Sequence, residues 1–148
     1  MADISLEVTR VFDTTPDDLF DAFINPERVA KWYGPGPADS DIHEYDATEG
    51  GSYSLTMHGM DGKEYKLRGT FKTIDKPHKI AYTWVWEGAS DTDGMGKDET
   101  LITVEFKPVG DKTEMHFRHE GFATEALRDN HNKGWEGCFA KLEKVVSK

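Results

Sequence analysis

From Tyr45 to Glu120 apolar and polar residues alternate with a period of two, and from Phe122 to Lys148 the apolar spacing becomes helical. The alternation predicts strands near 41–48, 52–58, 64–74, 79–87, 100–108 and 112–120. In the third of these, Tyr65, Leu67, Gly69 and Phe71 share one face, and Lys66, Arg68, Thr70 and Lys72 share the other. Ile80, Tyr82, Trp84 and Trp86 line up on the next, followed by Ile102, Val104 and Phe106, then Met115, Phe117 and His119. Gly69 sits mid-strand on an inward face, where a missing side chain permits a bend or a close backbone approach. Asp61-Gly62 and Gly110-Asp111 are turn signals between strands.

Ahead of this block, Ile4–Phe12 reads as a strand with Ile4, Leu6, Val8 and Arg10 on one face. Thr15-Pro16-Asp17-Asp18 then starts a helix: threonine caps free N–H groups, proline suits the first turn, and the aspartates complement the positive end. Its buried stripe is Leu19, Phe20 and Phe23. Asn25-Pro26 starts a second helix, Glu27 to Trp32, which Gly34-Pro35-Gly36-Pro37 stops. The final helix carries Leu127, His131, Trp135, Cys138, Phe139, Leu142, Val145 and Val146 on a broad apolar face, interrupted by Gly134 and Gly137. A sheet with one apolar face and one long helix left to cover it makes an α+β domain in which a cavity can persist between the layers.

Composition narrows the class. The 148 residues suit one domain, 1–148, and 36% hydrophobic content supports a core. Mean hydropathy is -0.68 and no apolar run approaches the ~20 residues of a membrane span. Met1–Ser5 lacks a basic start and an apolar stretch, so no signal peptide is expected, and the single Cys138 cannot form an internal disulfide. A reducing cytoplasm is the expected location. With 28 acidic and 18 basic residues the net charge is -10, which disfavours nucleic acid and anionic membranes as partners. The basic run Lys63–Lys72 alternates with apolar residues and reads as the wet face of a strand.

Catalytic motifs are sparse. There is no Gly-x-Ser-x-Gly elbow, and Ser52 and Ser54 have no base nearby in sequence. Cys138 faces the apolar side of its helix, where burial makes a thiol inert. Asp91-Thr92-Asp93-Gly94 is a fragment of a calcium loop without its terminal glutamate. His116 and His119 fall on opposite faces of one strand and cannot share a metal, so no metal and no cofactor is expected. The remaining polar candidates are His43, His119, His131, Tyr45, Tyr53, Tyr65 and Tyr82, which in an apolar cavity can orient a ligand or simply satisfy one another.

Pro26-Glu27-Arg28-Val29-Ala30-Lys31-Trp32-Tyr33-Gly34-Pro35 resembles a characteristic segment of the SRPBCC (START-like, birch-pollen-allergen-like) superfamily. More narrowly the chain resembles the activator of heat-shock-protein-ninety ATPase homologue family. Asp46, Gly50-Gly51, Met57, Asp61-Gly62, Gly69, Pro77, Ile80–Trp86, His119-Glu120-Gly121-Phe122 and His131-x-x-Gly134-Trp135 match it in order. Thr48 stands where that family usually carries an arginine. The resemblance implies a helix-grip fold, β-α-α-β6-α, with a curved antiparallel sheet wrapped around a long C-terminal helix. It leaves three functions open. The first is non-enzymatic binding of a small hydrophobic, aromatic or lipid-like molecule in the cavity, the second is contact with a chaperone, and the third is acid–base chemistry like that of polyketide cyclase or aromatase relatives. The expected lining is Trp32, Tyr33, Tyr53, Met57, Tyr65, Trp84, His119, Trp135 and Cys138. His119 is the best-placed base for chemistry, although a structural hydrogen bond with His131 is the expected use of both.

Overall fold

In the computed structural model, residues 4–34, 39–58, 64–87 and 99–146 are described. The order of elements is β1 (Ile4–Phe12), α1 (Pro16–Ile24), α2 (Pro26–Trp32), β2 (Asp41–Tyr45), β3 (Ser52–His58), β4 (Glu64–Asp75), β5 (Lys79–Trp86), β6 (Thr100–Val109), β7 (Lys112–Phe122) and α3 (Glu125–Val146). All seven strands join one antiparallel sheet in the order β1-β7-β6-β5-β4-β3-β2. The chain enters at one edge, and the helical pair α1–α2 carries it to the other. Hairpins then fill the sheet back toward β1. This is the α+β helix-grip arrangement.

Local chemistry sets the helix boundaries. Thr15 accepts a hydrogen bond from the Asp18 N–H at 3.2 Å, and Asn25 accepts one from the Glu27 N–H at 3.1 Å. Leu19, Phe20, Ala22 and Phe23 are buried under α1. Arg28 ties the helices together: its Nη1 donates to Asp18 Oδ1 at 2.9 Å and Asp21 Oδ2 at 3.0 Å, while Nη2 reaches the Val145 carbonyl of α3.

Register shifts in β1, β2 and β4 supply the bends that let the sheet close around α3. Gly69 pairs with Tyr53, and a Cβ there would collide with the Thr83 carbonyl and the Tyr53 ring. The strand therefore needs glycine for close approach. Gly110, at φ +65°, turns β6 into β7 together with Asp111. On β4, Lys66, Arg68 and Lys72 are exposed, as the wet face requires.

Two boundaries differ from the sequence reading by more than one residue. β2 stops at Tyr45 rather than 48, because the Thr48 N–H turns back to the Asp46 carbonyl at 2.9 Å and its hydroxyl bonds the Asp46 carboxylate at 3.0 Å. Phe122 ends β7 opposite Ile4 instead of starting the helix; Gly121, at φ +98°, precedes it, and α3 begins at Glu125 after the Thr124 hydroxyl accepts the Leu127 N–H. The Asp61-Gly62 turn, the 91–94 segment and Pro35–Pro37 lie outside the described residues. Among the described residues no helix is long and apolar enough to cross a membrane.

On α3 the buried face is Leu127, His131, Trp135, Cys138, Phe139, Leu142 and Val146, with Val145 partly buried. Gly134 is different: a Cβ there meets nothing within 4 Å. Gly134→Ala is therefore expected to stabilise the protein by about 0.5–1 kcal/mol through helix propensity and lost unfolded-state freedom. A urea midpoint that rises without a change in slope checks this.

Candidate functional site

The inner face of the sheet and the underside of α3 meet in a block of aromatic side chains. Alternation along β5 aims Tyr82, Trp84 and Trp86 inward, and β7 adds Phe117 and His119. The helical period of α3 stacks His131, Trp135 and Phe139 above them, and the end of α2 inserts Trp32 and Tyr33. Trp84 lies 4.9 Å from Trp135, 5.3 Å from Trp86, 5.5 Å from His119 and 5.9 Å from Tyr33, centroid to centroid. Such edge and tilted contacts add to plain area burial.

Two polar systems run through this block. The first is a group of tyrosines: the Tyr33 and Tyr82 hydroxyls bond each other at 2.7 Å, Tyr45 donates to the Phe23 carbonyl at 2.6 Å, and Tyr53 donates to the Thr83 carbonyl at 2.5 Å. Burial, then the neighbouring phenols, pushes the Tyr33 and Tyr53 hydroxyls well above their ordinary range, so these groups act as protonated donors.

The second system joins indoles to imidazoles. The Trp135 N–H donates to His119 Nδ1 at 3.1 Å, which places the His119 proton on Nε2, facing the Thr100 hydroxyl at 2.6 Å. Thr100 in turn donates to the Trp84 carbonyl at 3.2 Å. The Trp86 N–H donates to His131 Nε2 at 2.8 Å, and His131 Nδ1–H donates to the Leu127 carbonyl at 2.8 Å. Both imidazoles are thereby held neutral. Burial, with His131 as neighbour, lowers His119 well below its usual range; burial lowers His131 as well, partly offset by its bond to Leu127.

The four indoles are not equivalent. Trp32 donates to the Ala22 carbonyl at 2.8 Å, and Trp86 and Trp135 donate to the histidines. Trp84 Nε1 is buried and, among the described residues, has no hydrogen-bond partner. An orphaned donor of this kind costs about 1–3 kcal/mol. It is the one unsatisfied buried side-chain polar atom of the described residues, and it lies at the centre of the aromatic block.

Of the residues expected to line a pocket, Tyr33, Trp84, His119 and Trp135 come together around this donor. Trp32 packs against Tyr33 and Phe139 on the helix side, and Tyr53 belongs to the tyrosine group. Met57 is buried opposite Tyr65, which is only partly buried and meets the edge of Trp86 at 6.3 Å. Cys138 is buried beneath α3, and burial pushes its thiol up to about 12. His43, by contrast, bonds the Thr56 hydroxyl on the outer side of the sheet. His116 is exposed there while His119 is fully buried. Sequence reasoning passed over Thr100, whose hydroxyl accepts the Nε2 proton of His119; only strand register, Thr100 opposite Trp84, reveals it. Outside this block, a groove of about 420 Å³ crosses the outer face of β1, β7 and β6, lined by charged side chains such as Glu7, Glu105 and Arg118.

The sequence model of the Activator of Hsp90 ATPase homolog 1-like proteins matches residues 13–147. Among curated proteins no match is found. Solved structures with the same fold include a Chromobacterium violaceum protein at 22% identity, TM-score 0.87, covering 97% of each chain. The AHSA1 protein of Silicibacter pomeroyi is 22% identical, with TM-score 0.80 and coverage of 97% of this chain and 98% of that one. CalU16 of Micromonospora echinospora is 20% identical, with TM-score 0.73 and coverage of 98% and 77%. A family match spanning nearly the whole chain, joined to the helix-grip order of its strands and helices, places this protein in the Activator of Hsp90 ATPase homolog 1-like family of the SRPBCC superfamily.

Proposed function

We propose that the protein binds a small, uncharged, largely aromatic or alicyclic molecule between the sheet and α3, without transforming it. The unpartnered Trp84 Nε1 carries this reading. A ligand carbonyl or ether oxygen there would remove the cost of the orphaned donor, while Tyr33 and Trp135 offer ring faces to the rest of the molecule. Among the described residues, the rings that meet Trp84 are those of Tyr33, Trp86, His119 and Trp135; none carries a charge, since His119 is held neutral, so these groups offer an ionic ligand no counter-charge. Chemistry gains no support from His119, because both its ring nitrogens are engaged within the fold.

Fluorenone and fluorene share one ring skeleton and differ by a carbonyl, so they isolate the role of the donor. Quenching of tryptophan fluorescence is expected to show fluorenone binding about 2–10-fold more tightly, the worth of one net hydrogen bond. Trp84→Phe should abolish that difference while both compounds still bind. The reading fails if neither probe binds and the chain, gently extracted from its producing cell, is always empty by native mass spectrometry. The second reading, docking on a chaperone, rests on the family's description and the net charge of -10, with no geometric feature of this site behind it.

A further inference from the structure

On the opposite side of the sheet, three neighbouring strands bring together one imidazole and two carboxylates. Asp41 on β2 pairs with Thr56, two residues before His58 on β3, and His58 pairs directly with Glu64 on β4. Inward positions on β3 are Tyr53, Leu55 and Met57, so Thr56 and His58 face outward, and Asp41 and Glu64 follow. His58 Nε2 lies 3.1 Å from Asp41 Oδ2, and the donor atoms of all three side chains lie within 4.8 Å of one another. The His58 side chain is 22% exposed and that of Asp41 63%.

We infer that Asp41, His58 and Glu64 form a binding site for a divalent first-row transition metal ion. Ligand atoms about 2.0–2.2 Å from a zinc ion stand roughly 3–3.5 Å apart in tetrahedral or cis-octahedral pairs, and up to about 4.2 Å when trans. The His58–Asp41 separation already has the first spacing, and a small rotation of the exposed Glu64 side chain supplies the rest. Charge argues the same way. Two carboxylates converge here, yet among the described residues no lysine or arginine pairs with either; Asp41 has only His58, and Glu64 has no ion-pair partner. One dication neutralises both. A nitrogen and two oxygens suit an ion of intermediate hardness such as zinc, with solvent completing the shell. Its consequence is mechanical: the ion would clip edge strand β2, which among the described residues pairs with β3 alone, to both β3 and β4.

The test is calorimetric titration of zinc chloride into chelator-stripped protein, in a non-coordinating buffer near neutral pH. One saturable site is expected. It should weaken by no less than the ~10- to 100-fold that loss of even an outer-shell partner costs, in each of His58→Ala, Asp41→Asn and Glu64→Gln. His116→Ala, which removes an exposed histidine from the same outer face, should leave it unchanged. Asp41→Asn and Glu64→Gln alter exposed groups without changing their shape, so they remain informative even if His58→Ala folds poorly. Excess zinc should also raise the melting temperature of the wild type and not of the variants. Absence of saturable binding, or binding as tight in Asp41→Asn and His58→Ala as in the wild type, overturns the assignment.

Discussion

Gly69→Ala is expected to destabilise the protein by about 2–6 kcal/mol, a large part of the ~5–15 kcal/mol that holds a domain together. The added Cβ would land on the Thr83 carbonyl and on the ring of Tyr53. Neither can yield freely. The carbonyl belongs to β5, hydrogen-bonded on to β6, and the Tyr53 ring is 2% exposed and packed against Tyr45, Phe71 and Tyr82. Relieving the clash by moving the ring breaks the bond from the Tyr53 hydroxyl to Thr83, adding the ~1–3 kcal/mol of a stranded buried group to the ~1–3 kcal/mol of overpacking. Urea unfolding at fixed pH measures the loss. A midpoint within error of the wild type would show that the strand has slack at this position. Gly134→Ala is the control with the opposite sign, since both add one methyl and only the surroundings differ.

That contrast shows how far the sequence could be read. The period-two alternation of 64–74 and 79–87 puts Tyr65, Leu67, Phe71, Tyr82, Trp84 and Trp86 on the inner face, and it marks Gly69 as a place for a bend or a close approach, of which the structure shows the second. Helix starts were legible for the same reason: capping chemistry is local, so Thr15-Pro16 and Asn25-Pro26 announce themselves. Ends were harder. Phe122 is as apolar as any residue of the helix that follows, and its place in β7 depends on pairing with Ile4, more than a hundred residues away. β2 was read too long because a turn closed by the Asp46 and Thr48 side chains leaves no gap in the alternation.

The site was legible as a set of residues but not as a network. Tyr33, Trp84, His119 and Trp135 could be chosen for facing inward. That three of the four indoles find acceptors and Trp84 does not is a matter of ångströms and register. Trp86 and Thr100 show the point from the other side: their partners, His131 and His119, sit 45 and 19 residues away. The cluster of Asp41, His58 and Glu64 has no motif spacing at all. It exists because β2, β3 and β4 are neighbours, and a search for ligands along one strand or helix passes it by.

The same imidazole network makes acid the condition to which this fold should be most sensitive. In the unfolded chain His119 and His131 titrate near their ordinary value of 6.5; in the native protein burial holds both below it, His119 well below. The stability that comes from keeping them neutral is therefore fully present above about pH 6.5. It is lost as the pH falls below that value, where the unfolded chain takes up protons that the native state refuses, and the loss continues down to the depressed native values. Each histidine contributes a slope of up to about 1.4 kcal/mol per pH unit, so the pair reaches about 2.7 kcal/mol per unit. The geometry supports this sign independently of any titration. A proton on His119 Nδ1 would point at the Trp135 N–H, and one on His131 Nε2 at the Trp86 N–H, replacing an acceptor with a donor in each case. Among the described residues the rings that meet His119 are Trp84, Phe122, His131 and Trp135, and none is an anion that could hold an imidazolium. Urea unfolding from about pH 8 to 5 should show this slope in the wild type, reduced by about one histidine's share in His119→Phe. That variant should also lose about 1–3 kcal/mol at the alkaline end, where the Trp135 N–H is left without its acceptor. An unchanged slope would mean that His119 is protonated in the native state or already shielded in the unfolded one, and the network would then have no part in the response to acid.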